Sequence, residues 1–212
     1  MLAPLKDLIF PSRCFGCNNL GIDLCTKCRR FWNSHLYHQY ISGLNIYSSI
    51  KYSPVAKSIL LSAKESSIRK ADDLMIAALV DLVRRLPDSL LRDATLLPIP
   101  GSKRAIRKRG RDFIRVITIE VSKRTGIPVS SGLQINRKLL DQSRLSAVDR
   151  NRNISGAFEF NGPEIKGEIF LVDDLVTTGS TLLEAKRALN SQGISVNRAI
   201  TACMAQTLNI GG

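Results

Sequence analysis

The sequence predicts an α/β protein: a mainly parallel sheet with helices on both faces, carrying a small N-terminal module built around four cysteines. Three observations predict it. Short apolar runs alternate with stretches of helical period, which is the pattern of strand–helix–strand units. The strongest run, residues 168–173, opens into a hydroxyl-rich turn and then another helical stretch. Four of the five cysteines fall within residues 14–28 as two Cys-x-x-Cys pairs.

Taken in order, residues 10–30 hold the cysteines, with Gly16 and Gly21 in the tight turns between them. Residues 36–52, rich in Tyr, Ile and Ser, suggest one or two short strands. Pro54 opens a helical pattern through Val55, Ile59, Leu60 and Ala63. Leu74, Ala77, Ala78, Leu79, Leu82, Val83 and Leu86 mark a second amphipathic helix that stops before Pro87. Residues 94–99 form an apolar run ended by Pro100-Gly101, consistent with a buried strand. Ile114, Ile117, Ile119 and Val121 give a less regular helix with a stop at Gly126-Ile127-Pro128, and residues 129–135 suggest a strand. Residues 136–156 are long and polar. The chain then offers a strand at 168–173, a helix at 180–191 closed by Gly193, and a last strand at 195–204. A division at residue 35 follows, with a metal-binding module in 1–35 and the α/β domain in 36–212.

A chain of 212 residues is long enough for one good core plus a small appendage. With 44% hydrophobic and 23% charged residues it reads as globular rather than disordered or fibrous. No apolar run approaches the roughly 18 residues of a membrane span. Residues 1–10 are broken by Lys6 and Asp7 with no small-residue cleavage site after them, so the expectation is a cytoplasmic protein. Lys and Arg number 31 against 18 acidic residues, a formal charge of +13. Such a field draws nucleic acid, anionic membrane or polyphosphate without choosing among them.

In a cytosolic chain, paired Cys-x-x-Cys motifs read as metal ligands before disulfides. Cys14, Cys17, Cys25 and Cys28 supply four thiolates from two knuckles, suited to tetrahedral zinc. A closed four-thiolate site has no open position, so this zinc is structural. His35 and His38 are the alternative donors. Cys203, in an apolar run, is expected to be a small core residue.

The run Ile169-Phe170-Leu171-Val172-Asp173-Asp174-Leu175-Val176-Thr177-Thr178-Gly179-Ser180-Thr181 carries the chemistry. A buried strand meets two adjacent carboxylates, then hydroxyls and a glycine, then a helix. In a parallel sheet that end of the strand faces the ligand crevice. Backbone amides of Thr177, Thr178, Gly179, Ser180 and Thr181, with the helix N-terminus, form an anion cradle. Gly179 lets the backbone approach a phosphate, and the hydroxyls add donors. Asp173 and Asp174 lie where a sugar's hydroxyls emerge from that phosphate. Capping alone accounts for one or two such residues, not the whole string.

This string resembles the phosphoribosyl-diphosphate motif of type I phosphoribosyltransferases. The resemblance implies that Asp173 and Asp174 contact the ribose 2- and 3-hydroxyls while Thr177 to Thr181 wrap the 5-phosphate. It implies that Gly101, Ser102, Lys103 and Arg104, after the strand at 94–99, hold the pyrophosphate; taken one by one, several cations of the basic run also fit a solvated helix face. The polar stretch holding Gln142-Ser143, Leu145-Ser146, Arg150, Asn153 and Gly156-Ala157-Phe158 reads as a lid that excludes water from a reactive sugar centre. The order of four cysteines, Arg109-Gly110, this polar stretch and Asp-Asp…Thr-Thr-Gly is similar to that of the ComF/GntX group. That group often continues Arg-Gly with Phe-Asn-Gln, where this chain has Arg111-Asp112-Phe113.

The expected function is therefore binding of 5-phosphoribosyl 1-diphosphate with Mg²⁺, which the substrate's own oxygens chiefly hold. Transfer of the phosphoribosyl group to an unidentified acceptor would follow. The catalytic candidates are Asp173 and Asp174, and residues 36–64 are the region that would select the acceptor. The alternative is a non-catalytic competence factor associated with single-stranded DNA or with DNA-uptake proteins, its phosphoribosyl site kept as a sensor. Aromatics make up 6% of the chain and do not interleave with the basic run, so no stacking platform is evident.

Overall fold

The computed structural model describes residues 12–136 and 154–205. Most of the polar stretch expected as a lid, including Gln142, Ser143, Arg150 and Asn153, lies outside the described residues.

The cysteine segment folds as two turns around a bridge between Arg13 and Leu20, followed by a short helix α1 (Thr26–Arg29). Strands β1 (Tyr37–Ile41) and β2 (Leu44–Lys51) form an antiparallel hairpin. Helix α2 (Pro54–Lys64) begins where the sequence signals it: the Ser53 side chain accepts from the Ala56 amide at 3.1 Å, with Pro54 in the first turn. Helix α3 (Arg69–Arg85) buries Ala71, Met75, Leu79 and Leu82, spaced three and four residues apart, and ends with Arg84 and Arg85 against its negative pole. A short α4 (Asp88–Leu91) leads into β3 (Ala94–Pro98), buried along its whole length. Helices α5 (Lys103–Arg109) and α6 (Phe113–Thr125) follow. Strands β4 (Leu133–Ile135) and β5 (Phe158–Phe160) pair antiparallel. Then come β6 (Glu168–Val176), α7 (Ser180–Asn190) and β7 (Arg198–Met204).

The five-stranded sheet has the order β1-β2-β7-β6-β3, parallel except for β1 at its edge. Side-chain alternation divides its residues between two cores. On one face Leu96, Phe170, Val172 and Ile200 meet α2, α3 and α6. On the other, Ile46, Leu97, Leu171 and Ala199 meet α7 and the β4–β5 hairpin. Each fully buried Leu, Ile or Phe contributes about 1.5–3 kcal/mol by leaving water. Cys14, Leu24, Cys28 and Trp32 belong to the first core, so the cysteine segment is packed against α2 and α3.

The expected α/β architecture is present, with two local differences. The strand expected at 129–135 is a single bridge from Val129 to Leu96, with regular pairing restricted to Leu133–Ile135, because β4 pairs with β5 and not with the main sheet. Strand β6 runs three residues beyond residue 173 and takes both aspartates into the sheet. The cations after β3 lie on a helix, the reading the basic run offered by itself, and Ser102 caps it through the Ala105 amide at 3.2 Å.

The connections locate a crevice. The path from β2 to β3, and the path through α6 to Val129 beyond β3, travel outward over the first face. The return through β4–β5 to β6, and the link through α7 to β7, travel inward over the second. Opposite directions over opposite faces are what a single crossover hand requires. Chains therefore leave β3 and β6 toward different faces, and the crevice beyond their C-terminal ends is a topological switch point, the usual ligand position in open α/β sheets.

Candidate functional site

The register brings the two predicted segments together at that crevice. Pro98 lies opposite Val172, and the Ile99 amide donates to the Val172 carbonyl at 2.9 Å. Pro100 and Gly101 thus emerge beside the aspartates of the neighbouring strand. Asp174 continues the row of Phe170 and Val172 and faces α2, while Asp173 continues the row of Leu171. Both carboxylates are buried.

Two adjacent buried carboxylates cannot both ionise at ordinary cost, and the surroundings separate them. Burial, and then the neighbouring Asp174 charge, push Asp173 well above the ordinary carboxylate range. Burial acts on Asp174 as well, but the Lys64 ammonium, 2.5 Å from its Oδ2, outweighs it and holds Asp174 low. Lys64 is raised in turn, because Asp174 and Asp173 outweigh its own desolvation. The Asp174 amide donates to Asp173 Oδ1 at 2.8 Å. The pair is thus asymmetric: Asp174 is favoured as the carboxylate, paired with the Lys64 ammonium, and Asp173 is the one that burial and its neighbour bias toward the acid form.

The predicted cradle follows directly. Thr177, Thr178 and Gly179 form a bend, and α7 begins at Ser180. Gly179 has φ 77°, a left-handed conformation that L side chains avoid, and a Cβ there would lie 3.2 Å from Ile41 Cδ1. The Thr178 and Ser180 hydroxyls lie 2.5 Å apart, and Thr181 occupies the first turn of α7. An anion here would meet the positive pole of an eleven-residue helix.

Of the pyrophosphate candidates, Gly101 lies at the strand exit and Ser102 spends its hydroxyl on capping α5. Lys103 and Arg104 are exposed on the first turn of α5, and among the described residues neither is in an ion pair. Farther along, Lys108 and Arg109 are bound by Glu65 at 3.1 and 2.5 Å. Arg111 is held by both Asp72 oxygens, at 2.5 and 2.9 Å, and by the Ala63 carbonyl at 2.6 Å. Asp112, close to Gly101, has its carboxyl raised by burial. The polar stretch re-enters the described residues on α7: buried Glu184 accepts the Phe158 amide at 3.0 Å, and Arg187 donates to the Phe158 carbonyl at 2.8 Å. Two cavities lie away from this crevice, one of about 530 Å³ bordered by Arg84, Arg92 and Arg124, the other of about 560 Å³ between the cysteine segment and α2.

Sequence reasoning missed Lys64 and the Asp72–Arg111 pair. Lys64 stands four residues after buried Leu60 and eight after buried Ala56, a cation on the apolar face of α2. That misplaced charge was the available signal. Asp72 likewise falls on the buried face of α3.

The four predicted cysteines come together, their Sγ atoms all within 4.8 Å of one another. Tetrahedral zinc with Zn–S near ~2.3 Å requires sulfurs about 3.8 Å apart, and Cys17 and Cys25 lie 3.7 Å apart. Burial opposes ionisation of Cys14, yet hydrogen bonds from the backbone of Cys25, Cys17 and Gly16 hold its thiol down at about 6. Cys28, buried and then crowded by Cys25, Cys14 and Cys17, is pushed up to about 12. Four such sulfurs ionise together only around a cation, so the set can bind a metal such as zinc. His35 and His38 turn elsewhere, to Asn33 and Asn45. Cys203 is buried on β7. Among the described residues no helix is long and apolar enough to cross a membrane.

No family model matches the chain, and no curated protein matches it. Several solved structures do. Adenine phosphoribosyltransferase from Trypanosoma brucei is similar at 10% identity over 84% of this chain and 91% of its own, with a TM-score of 0.44. Adenine phosphoribosyltransferase from Leishmania donovani is similar at 10% identity over 83% and 94%, with a TM-score of 0.41. Orotate phosphoribosyltransferase from Aeropyrum pernix is similar at 14% identity over 82% and 76%, with a TM-score of 0.39.

Proposed function

We propose that the protein binds 5-phosphoribosyl 1-diphosphate with Mg²⁺ and transfers its phosphoribosyl group to an acceptor, as a member of the ComF/GntX-like branch. One observation carries this reading: Asp173 and Asp174, with the Gly179 bend and the start of α7, occupy the switch-point crevice beside the cation segment that follows β3. Thr177 to Thr181 would take the 5-phosphate, and the aspartates would take the ribose hydroxyls. Lys103 and Arg104 would take the pyrophosphate.

The charge balance at the aspartates favours a sugar over a bare cation. With the Asp174 charge balanced by Lys64 and Asp173 biased toward its acid form, the pair carries less negative charge than two free carboxylates and suits hydroxyls, which both donate and accept. Mg²⁺ would arrive on the substrate's diphosphate and ribose oxygens and neutralise the leaving group. In the reaction, an acceptor lone pair forms a bond to the anomeric carbon, the bond from that carbon to the diphosphate oxygen breaks, and its electrons leave with pyrophosphate. The acceptor's proton goes to solvent. The protein supplies position and charge stabilisation rather than a nucleophile. The four cysteines would hold zinc for structure alone.

The test is release of pyrophosphate from the sugar diphosphate in the presence of Mg²⁺. Slow release by wild type that Asp173→Ala abolishes supports transferase chemistry. Release that persists in Asp173→Ala contradicts the assignment. No release, together with single-stranded DNA binding that falls steeply with salt, would instead assign the exposed cations of α5 to a DNA-associated role.

A further inference from the structure

Three consecutive residues at the end of α2 reach three different parts of the crevice. The Ala63 carbonyl receives Arg111, at the turn between α5 and α6. Lys64 reaches Asp174 on β6. Glu65 receives Lys108 and Arg109 from α5. One helical turn therefore joins the strand that carries the carboxylates to the helix that carries the candidate pyrophosphate cations, across the gap where a ligand would lie. Helix α2 is held in place by Ala56, Ile59 and Ala63, all fully buried against α3 and the sheet.

We propose that Lys64 is a positioning residue of the ligand site: its ammonium fixes the Asp174 carboxylate in one orientation as acceptor for a hydroxyl of the sugar's vicinal diol, and ties that strand to the cation helix. The ligand class rests on the function proposed above; the Lys64–Asp174 linkage does not. The other groups facing the pair are Asp173 on β6, Arg109 on α5 and the Cys203 thiol on β7. Arg109 is occupied by Glu65, and burial, followed by the Asp174 charge, raises the Cys203 thiol, so neither replaces Lys64 as the partner of Asp174.

A hydrogen bond to a charged group, once lost, leaves Asp174 buried and unbalanced, and it answers by taking a proton. Asp174 then ceases to be a pure acceptor. Arginine at position 64 keeps the charge and restores the function in part, whereas methionine keeps the packing of the stem and removes the charge.

The experiment compares wild type, Lys64→Arg and Lys64→Met by two readouts. Carboxyl ¹³C NMR of Asp-labelled protein follows titration without ligand. With the Asp174 resonance assigned by its loss in Asp174→Asn, wild type and Lys64→Arg should each show the Asp174 carboxyl still ionised below the usual aspartate range, and in Lys64→Met that signal should move up into or above the range. Calorimetry then measures the sugar diphosphate with Mg²⁺ at pH 7. Lys64→Met should bind about tenfold to a hundredfold more weakly, and Lys64→Arg should recover most of the loss. An Asp174 carboxyl that still titrates low in Lys64→Met overturns the proposal whatever binds. So does equal affinity of wild type and Lys64→Met. If wild type does not bind the sugar diphosphate, the functional proposal fails while the carboxyl titration still decides the role of Lys64.

Discussion

Two glycines with the same backbone conformation provide an internal comparison. Gly179 in the predicted cradle and Gly126 at the end of α6 both have φ 77°. Gly126 borders the N-terminal edge of β3, away from the crevice, and a Cβ added there meets nothing within 4 Å. Gly126→Ala should therefore cost only the left-handed backbone term, about 1–2 kcal/mol. Gly179→Ala carries the same term. It adds a contact at 3.2 Å with Ile41 Cδ1, relieved by an off-rotamer shift of that methyl at about 0.5–1.5 kcal/mol. The expected totals are about 1–2 and 1.5–3.5 kcal/mol. At about 2–4 °C per kcal/mol for a domain of this size, Tm should fall by roughly 2–8 °C and 3–14 °C respectively. The variants should part company in ligand binding. A methyl group at position 179 presses on Ile41 and displaces the 177–181 bend, and losing one charge-assisted hydrogen bond to a phosphate weakens affinity about tenfold to a hundredfold. Thermal unfolding and titration with the sugar diphosphate measure both effects. If Gly179→Ala binds as tightly as Gly126→Ala, residues 177–181 are not the phosphate cradle.

Three further outcomes follow from the geometry. Cys28→Ser should abolish stoichiometric zinc and, because Cys14, Cys28 and Trp32 share a core with α2 and α3, lower Tm of the whole chain; metal analysis with calorimetry checks both, and an unchanged Tm would uncouple the cysteine segment from the fold. Asp72→Ala should cost about 3–5 kcal/mol by leaving Arg111 half-buried and unpaired, and the double variant Asp72→Leu/Arg111→Met should recover much of it in urea unfolding. Burial opposes the charge on Glu184, but hydrogen bonds from Arg187 and the Phe158 backbone outweigh it and hold its carboxyl below the ordinary 4.5. A depressed carboxyl contributes stability that is complete above the unfolded value and fades as pH falls through the folded one. Glu184→Gln should accordingly lose stability at pH 7, with the deficit shrinking below pH ~4.5; a deficit that does not change with pH would show that the charge contributes nothing.

The sheet around the site was legible because each signal was local. Strand β6 opens with the apolar run of residues 169–172, α7 starts at a glycine and ends near Gly193, and Pro54, Gly126 and Pro87 punctuate the helices where they stop or start. The cysteine spacing announced its cluster for the same reason. What remained hidden depends on pairings distant in sequence. Strand β5 has three residues and exists because β4 and α7 receive it. Glu65 meets Lys108 and Arg109 from 43 and 44 residues away, which leaves the first-turn cations of α5, Lys103 and Arg104, outside those pairs. Lys64 and Asp174 are 110 residues apart. Only the anomalous placement of a lysine on an apolar helix face hinted that it had a buried partner, and nothing local said which one.

The central claim is that residues 173–181 receive a phosphoribosyl diphosphate. Its most direct measurement is calorimetric titration of the full chain with 5-phosphoribosyl 1-diphosphate and Mg²⁺, wild type against Asp174→Ala. The account predicts saturable binding near one site per chain in wild type, and an affinity at least about tenfold weaker in the variant. Absence of binding in wild type, or equal affinity in the two proteins, would contradict it.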